Sequence, residues 1–323
     1  VWCEMDLDHP AHSQCPRWRT GLEGFRAISE VTRRPPAAEP AKADSEIARF
    51  GQDSEYVLRL AADGADRLKC WNLVYREYLA QGYTERKELE FRYSIHDALP
   101  DTATFLIERH GEAVGTVTVF PDSPLGLPAD EIYRAELDLM RKAGRNLTEV
   151  GRLTISSDFK NDRHILANLF DVLSIYSRRV RKASDLIITV NPSHARFYER
   201  MILFDRVGGQ KDLRSVCGAP AVLLDLDLAR EEMTRRFAHG EGPEPEGFQG
   251  GRTMYPLVSG LEEEDRRVGK MLAAKCPLPE EFLKRYFVRL RPLIPDLSSP
   301  MRYFFEKCYP AYNLMTAMSF DFP

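Results

Sequence analysis

The run Glu149-Val150-Gly151-Arg152 sets a carboxylate and a guanidinium three positions apart, in a stretch to Ile155 that reads as a β-strand. A carboxylate can accept a proton directly or through one water, and a guanidinium can grip an anion through two parallel N–H donors. Side chains three apart on a regular strand point to opposite faces. The two groups therefore serve one site only if the strand bulges, which Gly151 permits, or if Arg152 works from the far side. The competing reading is an ordinary Glu149–Arg152 salt bridge at a strand edge. Lys160, Arg163 and His164 open a helix and suit either a phosphate contact or a plain polar helix start. Arg178, Arg179, Arg181 and Lys182 gather at the end of a long helix. Such cations suit an acidic docking partner or simply complement the helix dipole. Cys3, His9, His12 and Cys15 supply four zinc-type ligands in a short segment, but their spacing matches no common zinc module, so no metal is assigned.

Positioning these groups falls to a block that alternates strand and helix signals between two irregular stretches. Arg33 to Lys42 is rich in Pro and Ala, and His239 to Gly247 is broken by Gly and Pro. We therefore expect an arm over 1–50 that is weakly structured, a core over 54–230 and a helical extension over 252–323. Within the core, strands are expected at 56–61, 103–109, 113–120, 149–155 and 185–190, with closing strands near 205–209 and 219–227. Helices are expected at 65–80, 129–143, 162–182 and 193–202. His110-Gly111 turns a hairpin, and Asn191-Pro192-Ser193 starts a helix. The order β-α-β-β-α-β-α-β-α-β-β describes a mixed α/β sheet. In the extension, Phe282, Leu283, Tyr286, Phe287 and Leu290 make an apolar stripe, and Met301, Tyr303, Phe304, Phe305 and Tyr309 a second, aromatic segment. These suit a helical bundle packed on the core, or else a cover for a ligand tunnel or a partner surface.

The composition bounds the function. With 43% hydrophobic and 29% charged residues, the 323-residue chain is of the globular type. A net charge of −4 gives no general field for nucleic acid. No apolar run reaches the length of a transmembrane helix, no signal peptide is evident, and six scattered cysteines make no disulfide framework. A cytoplasmic protein is expected.

The element order, and the words within it, resemble the GNAT superfamily, and within it the long-chain N-acyl amino acid synthases, relatives of the acyl-homoserine-lactone synthases. The likeness runs through Val74 to Tyr83, Val114 to Val119 with Asp122 to Pro128, Gly144 to Leu153, and Val190 to Arg200. It implies a GNAT (acyl-CoA N-acyltransferase) fold with a mixed, splayed central sheet, plus an N-terminal arm and a C-terminal helical extension. It also implies transfer of a fatty acyl group from acyl carrier protein or coenzyme A, as co-substrate and not a tightly bound cofactor, to the α-amine of an amino acid. The enzyme would be of bacterial type. The lactone synthases carry a Glu-x-x-Arg strand with a general base and its arginine, and Glu149 and Arg152 match that spacing. The resemblance assigns backbone N–H groups near Leu153 and Thr154 to the thioester oxygen. It assigns Tyr198 to protonation of the leaving thiolate, or to the core as a packing residue. Asn191 bonds the pantetheine arm or caps its helix.

The usual glycine-rich pyrophosphate turn is missing, since Phe159 to Ala167 contains no glycine. That favours a carrier protein, whose pantetheine arm has one phosphate, met by Lys160, Arg163 and His164. An amino-acid carboxylate needs a cation, for which Arg76, Arg109 and Arg152 are the choices. Residues 84–97 lack a clear acidic pattern for a cationic sulfonium substrate, which argues against a lactone product. The rival readings are a lactone-type signal synthase or another GNAT acyltransferase, and a non-catalytic module that binds acyl carrier protein.

Overall fold

The structure is a computed structural model, which describes residues 46–238, 240, 242–244, 269, 272, 277–312 and 314. The Cys3–Cys15 cluster, the Pro/Ala-rich stretch and most of 239–276 lie outside the described residues.

One eight-stranded sheet organises the chain, in the order β1-β2-β3-β4-β5-β6-β8-β7. The strands are β1 (Glu46–Phe50), β2 (Tyr56–Leu60), β3 (Ala103–Arg109), β4 (Glu112–Pro121), β5 (Leu147–Ile155), β6 (Asp185–Val190), β7 (Asp205–Leu213) and β8 (Ala219–Asp227). All neighbours are antiparallel except β5 and β6. The last five residues of the expected weakly structured arm are thus a strand, because Glu46–Phe50 pairs with β2 and buries Ile47.

Helices cover both faces, as the two-fold alternation of the strands requires. On one face α3 (Arg163–Ile175) and α4 (Pro192–Met201) pack Ile165, Leu169, Leu173 and Tyr198 against Phe105, Val117, Val150, Leu153 and Ile188. On the other, α1 (Gly64–Ala80) lays Cys70 on Leu106, and α2 (Asp130–Lys142) packs Tyr133 and Leu137 onto Leu147, Ile187 and Leu223. Asp63 caps α1, its side chain accepting from the Asp66 N–H at 2.7 Å. A helix α5 (Leu228–Ala238) follows β8.

The expected long helix over 162–182 instead widens into a π turn at Tyr176–Val180. Its last turn buries Arg178 against α5. The C-terminal elements are α6 (Glu280–Leu283), a π turn at Lys284–Arg289, and α7 (Ser299–Cys308). They pack Phe282, Phe287, Phe305 and Tyr309 onto Trp71 of α1 and onto Tyr93 and Leu99 of the segment that follows it.

Candidate active site

The site is built where β5 parts from β6. Their parallel ladder holds only three pairs, ending at Glu149↔Ile187. Beyond that vertex the strands splay, and a cleft with about 530 Å³ of empty space, part of it open to solvent, passes between them. Val150, Gly151, Arg152 and Leu153 line it from β5, and Ile188, Thr189, Val190 and Asn191 from β6 and its end. Phe170 and Leu173 of α3, His194 and Tyr198 of α4, Phe204, and Tyr78 of α1 complete the walls. The lining is mostly apolar with a few polar groups, as ligand clefts generally are.

β5 does bulge. Its register against β4 runs Thr118↔Gly151 and then Thr116↔Thr154, so Arg152 and Leu153 together oppose Val117. The positive φ of 54° falls on Arg152 itself and not on Gly151. This extra residue reverses the alternation. Leu147 packs on the α2 face and Val150 on the α3 face, yet beyond the bulge it is the odd-numbered Leu153 and Ile155 that face α3. Glu149 and Arg152 consequently turn to the same face despite their spacing of three.

They do not pair with each other. The Arg152 guanidinium forms an ion pair with Asp97, whose side chain is fully buried, and donates to Ser94 Oγ at 3.0 Å. Asp97 also accepts from the Ser94 N–H at 2.7 Å and from Trp71 Nε1 at 3.2 Å. Burial works against the Asp97 charge, but Arg152 and the Ser94 N–H together hold its carboxyl below the usual carboxylate range. The short turn Ile95–Ala98 that carries Asp97 starts with the Ser94-x-x-Asp97 capping box. This anchor was missed in the sequence, although a Ser-x-x-Asp spacing marks a helical start.

Glu149 is 5% exposed, and its Oε2 accepts from the Ala129 N–H at 2.7 Å. Burial pushes its carboxyl up to about 8. The Ala129 N–H and Arg152 oppose that rise, while Asp130 and Asp122 add to it. Such a group changes charge near neutrality, where a proton acceptor for an amine is useful.

Of the other expected residues, Leu153, Asn191 and Tyr198 lie in the cleft. Asn191 caps α4, its Oδ1 accepting from the Ser193 N–H at 3.0 Å. Tyr198 is buried among Phe170, Phe197 and Phe204, so it is a packing residue that also faces the cleft. Thr154 is buried beyond the bulge opposite Thr116, outside the cleft lining. His194, not singled out from the sequence, lines the cleft as a neutral imidazole, since burial pulls it down to about 4.

Several residues are not brought to the site. Arg76 is exposed on α1, because the buried face of that helix is set by Trp71, Val74, Tyr75 and Tyr78. Arg109 is held by Glu55 and lies over Tyr56 and Phe159. Among the three arginines considered for a carboxylate, only Arg152 stands in the cleft. Lys160, Arg163 and His164 are exposed at the start of α3, whose N-terminus is already capped by the Asp162 carboxylate accepting from the His164 N–H at 2.9 Å. The expected docking cluster is corrected. Arg178 is buried and paired with Glu231 and Glu232, Arg179 pairs with Glu232, and Arg181 pairs with Asp101. These cations hold α5 and the segment before β3 rather than forming a free patch.

Residues 69–227 match the family model described as N-acyl amino acid synthase FeeM. The structure of FeeM, an N-acyl amino acid synthase from uncultured soil microbes, is similar at 26% identity, covering 55% of this chain and 93% of that one, with a TM-score of 0.49. The acyl-homoserine-lactone synthase LasI is similar at 16% identity over 59% of this chain and 98% of its own, with a TM-score of 0.45. An acyl-CoA N-acyltransferase from Pseudomonas aeruginosa is similar at 13% identity over 53% of this chain and 97% of its own, with a TM-score of 0.38. No curated protein matches the chain. The central block of this chain, residues 69–227 and just under half of its length, is thus similar to the N-acyl amino acid synthase family.

Proposed function

We propose that the chain transfers a long-chain fatty acyl group from a cytoplasmic carrier thioester to the α-amine of an amino acid. The observation that carries this reading is Glu149. A buried carboxyl whose proton affinity is raised to about 8 stands in the last β5–β6 pair, one residue before the lining of a largely apolar cleft begins at Val150. An ammonium has no lone pair, so aminolysis starts with loss of its proton, and Glu149 accepts it. Approach of the cationic amine itself favours the charged carboxylate. The amine nitrogen then attacks the thioester carbon. Beyond Glu149 the β6 edge of β5 has no ladder, so amides of the bulge face the cleft and meet the oxyanion of the tetrahedral state. Its collapse breaks the C–S bond, Tyr198 gives the thiolate a proton, and the amide nitrogen passes its remaining extra proton to the tyrosinate, which restores the phenol. Arg152 meets the acceptor carboxylate.

Acyl carrier protein is the favoured donor. The α3 N-terminus, where a nucleotide pyrophosphate would sit, carries the Asp162 carboxylate and no glycine turn. Lys160, Arg163 and His164 remain at that rim for the single phosphate of a pantetheine arm.

Purified protein given acyl carrier protein or coenzyme A thioesters with a panel of amino acids tests the reading, with products followed by mass spectrometry. New N-acyl amino acids that fall at least a hundredfold with Glu149→Gln are expected. A folded wild type that acylates no amino acid from either donor refutes it.

A further inference from the structure

His96 has no part in the roles assigned above. It sits on the short turn between Ser94 and Asp97, beside the carboxylate that clamps Arg152. Its ring meets Phe120 edge-on, with centroids 6.1 Å apart at 75°. The Arg152 guanidinium carbon lies 5.2 Å from the centroid of the same Phe120 ring. Gly151 presses on that ring too, since a Cβ there would come within 3.1 Å of it. Phe120 is therefore a floor shared by His96 and two residues of the bulge. Neither Nδ1 nor Nε2 of His96 reaches solvent, and neither makes a hydrogen bond. The Gly126 backbone lies beside the ring and favours its protonated form, against the larger and opposite effect of burial. The charges facing His96 are Asp97 from its own turn, Arg152 from β5 and Asp130 from α2, and the last two also face Glu149.

A buried polar group without a partner costs about 1–3 kcal/mol, and folds seldom keep one without a use. Phenylalanine or leucine would fill the same space at no such cost. We propose that His96 is an acceptor-binding residue, whose ring N–H donates to the α-carboxylate of the amino acid while Arg152 meets the same anion and Glu149 its amine. This rests on the function proposed above. Two features of the site favour it. Asp97 already neutralises Arg152, so the guanidinium alone is a weak anion receptor. Burial also keeps the imidazole neutral, which adds a donor without a second cation to repel the substrate ammonium.

Steady-state kinetics of His96→Phe and His96→Gln, with the amino acid and the acyl thioester varied separately, test the assignment. His96→Phe is expected to raise the amino-acid KM at least tenfold, to leave the thioester KM unchanged, and not to lower Tm, because it removes two unsatisfied nitrogens. His96→Gln keeps an N–H donor and recovers part of the KM. An unchanged amino-acid KM in His96→Phe overturns the proposal, as does an equal rise in both KM values. Should His96→Phe not fold, His96→Gln is compared with His96→Leu. A lower amino-acid KM for Gln supports the assignment, and equal values overturn it. A wild type that makes no N-acyl amino acid sinks the underlying function. A productive wild type with an indifferent His96→Phe sinks only this inference.

Discussion

Glu149 binds its proton more tightly in the folded chain than in the unfolded one, and that single fact ties stability to catalysis. Burial raises its pKa from 4.5 to about 8. Between those values the folded state holds the proton that the unfolded state has lost, so stability falls as pH rises, by at most about 1.4 kcal/mol per pH unit. The loss is complete above the folded value. Glu149→Gln keeps an acceptor for the Ala129 N–H and removes the titration. Urea midpoints at pH 5.5 and 8.5 should therefore show the variant gaining on the wild type as pH rises. A gap that does not change with pH would mean that Glu149 is not held protonated. In the free enzyme, kcat/KM should climb through a limb near pH 8, because only the carboxylate accepts the amine proton.

At the scale of elements, the bulge in β5 decides which groups meet. A left-handed backbone at a non-glycine residue costs about 1–3 kcal/mol and persists where its surroundings hold it. Here the hold is Asp97, reached by Arg152 only because the strand gains a residue. Arg152→Ala leaves a carboxylate with no exposed surface and no paired cation, which should cost about 3–5 kcal/mol. Asp97→Asn in the same chain should restore part of that, giving a coupling above 1 kcal/mol in a double-mutant cycle of denaturant midpoints. Additive losses would show that the pair does not clamp the bulge.

The alternation of strands and helices, and the need for a bulge between Glu149 and Arg152, could be read from local pattern. Which residue took the left-handed conformation could not. Glycine at 151 was the local choice, whereas the strain moved to Arg152 through an ion pair with a residue 55 positions away. The same limit hid the fate of Arg178. Periodicity extended its helix smoothly, but a π turn rotates the side chain into α5, whose carboxylates are distant in sequence. Local spacing also gave no reason to exclude Arg76, because its exposure follows from which face of α1 the sheet takes.

Across the whole molecule, the C-terminal segment supports the site from behind, and none of its described residues lines the cleft. Trp71 stacks on Tyr93 at 4.5 Å while its indole N–H holds Asp97. Tyr309 donates to the Ala98 carbonyl at 2.5 Å, Arg291 to that of Tyr93 at 2.7 Å, and the Tyr93 hydroxyl to that of Tyr286 at 2.7 Å. The turn bearing His96 and Asp97 is thus fixed between α1 and the C-terminal helices. If so, the segment unfolds with the core rather than as a detachable appendage. Phe287 tests this, being fully buried with ring centroids 5.8 Å from Trp71 and 5.1 Å from Tyr93. Phe287→Ala should lower global stability by about 3–5 kcal/mol, moving one transition seen alike by tryptophan fluorescence and far-UV circular dichroism. A separate early transition with the main one unmoved would mark the segment as an independent unit, and the turn that carries Asp97 would then have to be held by α1 alone.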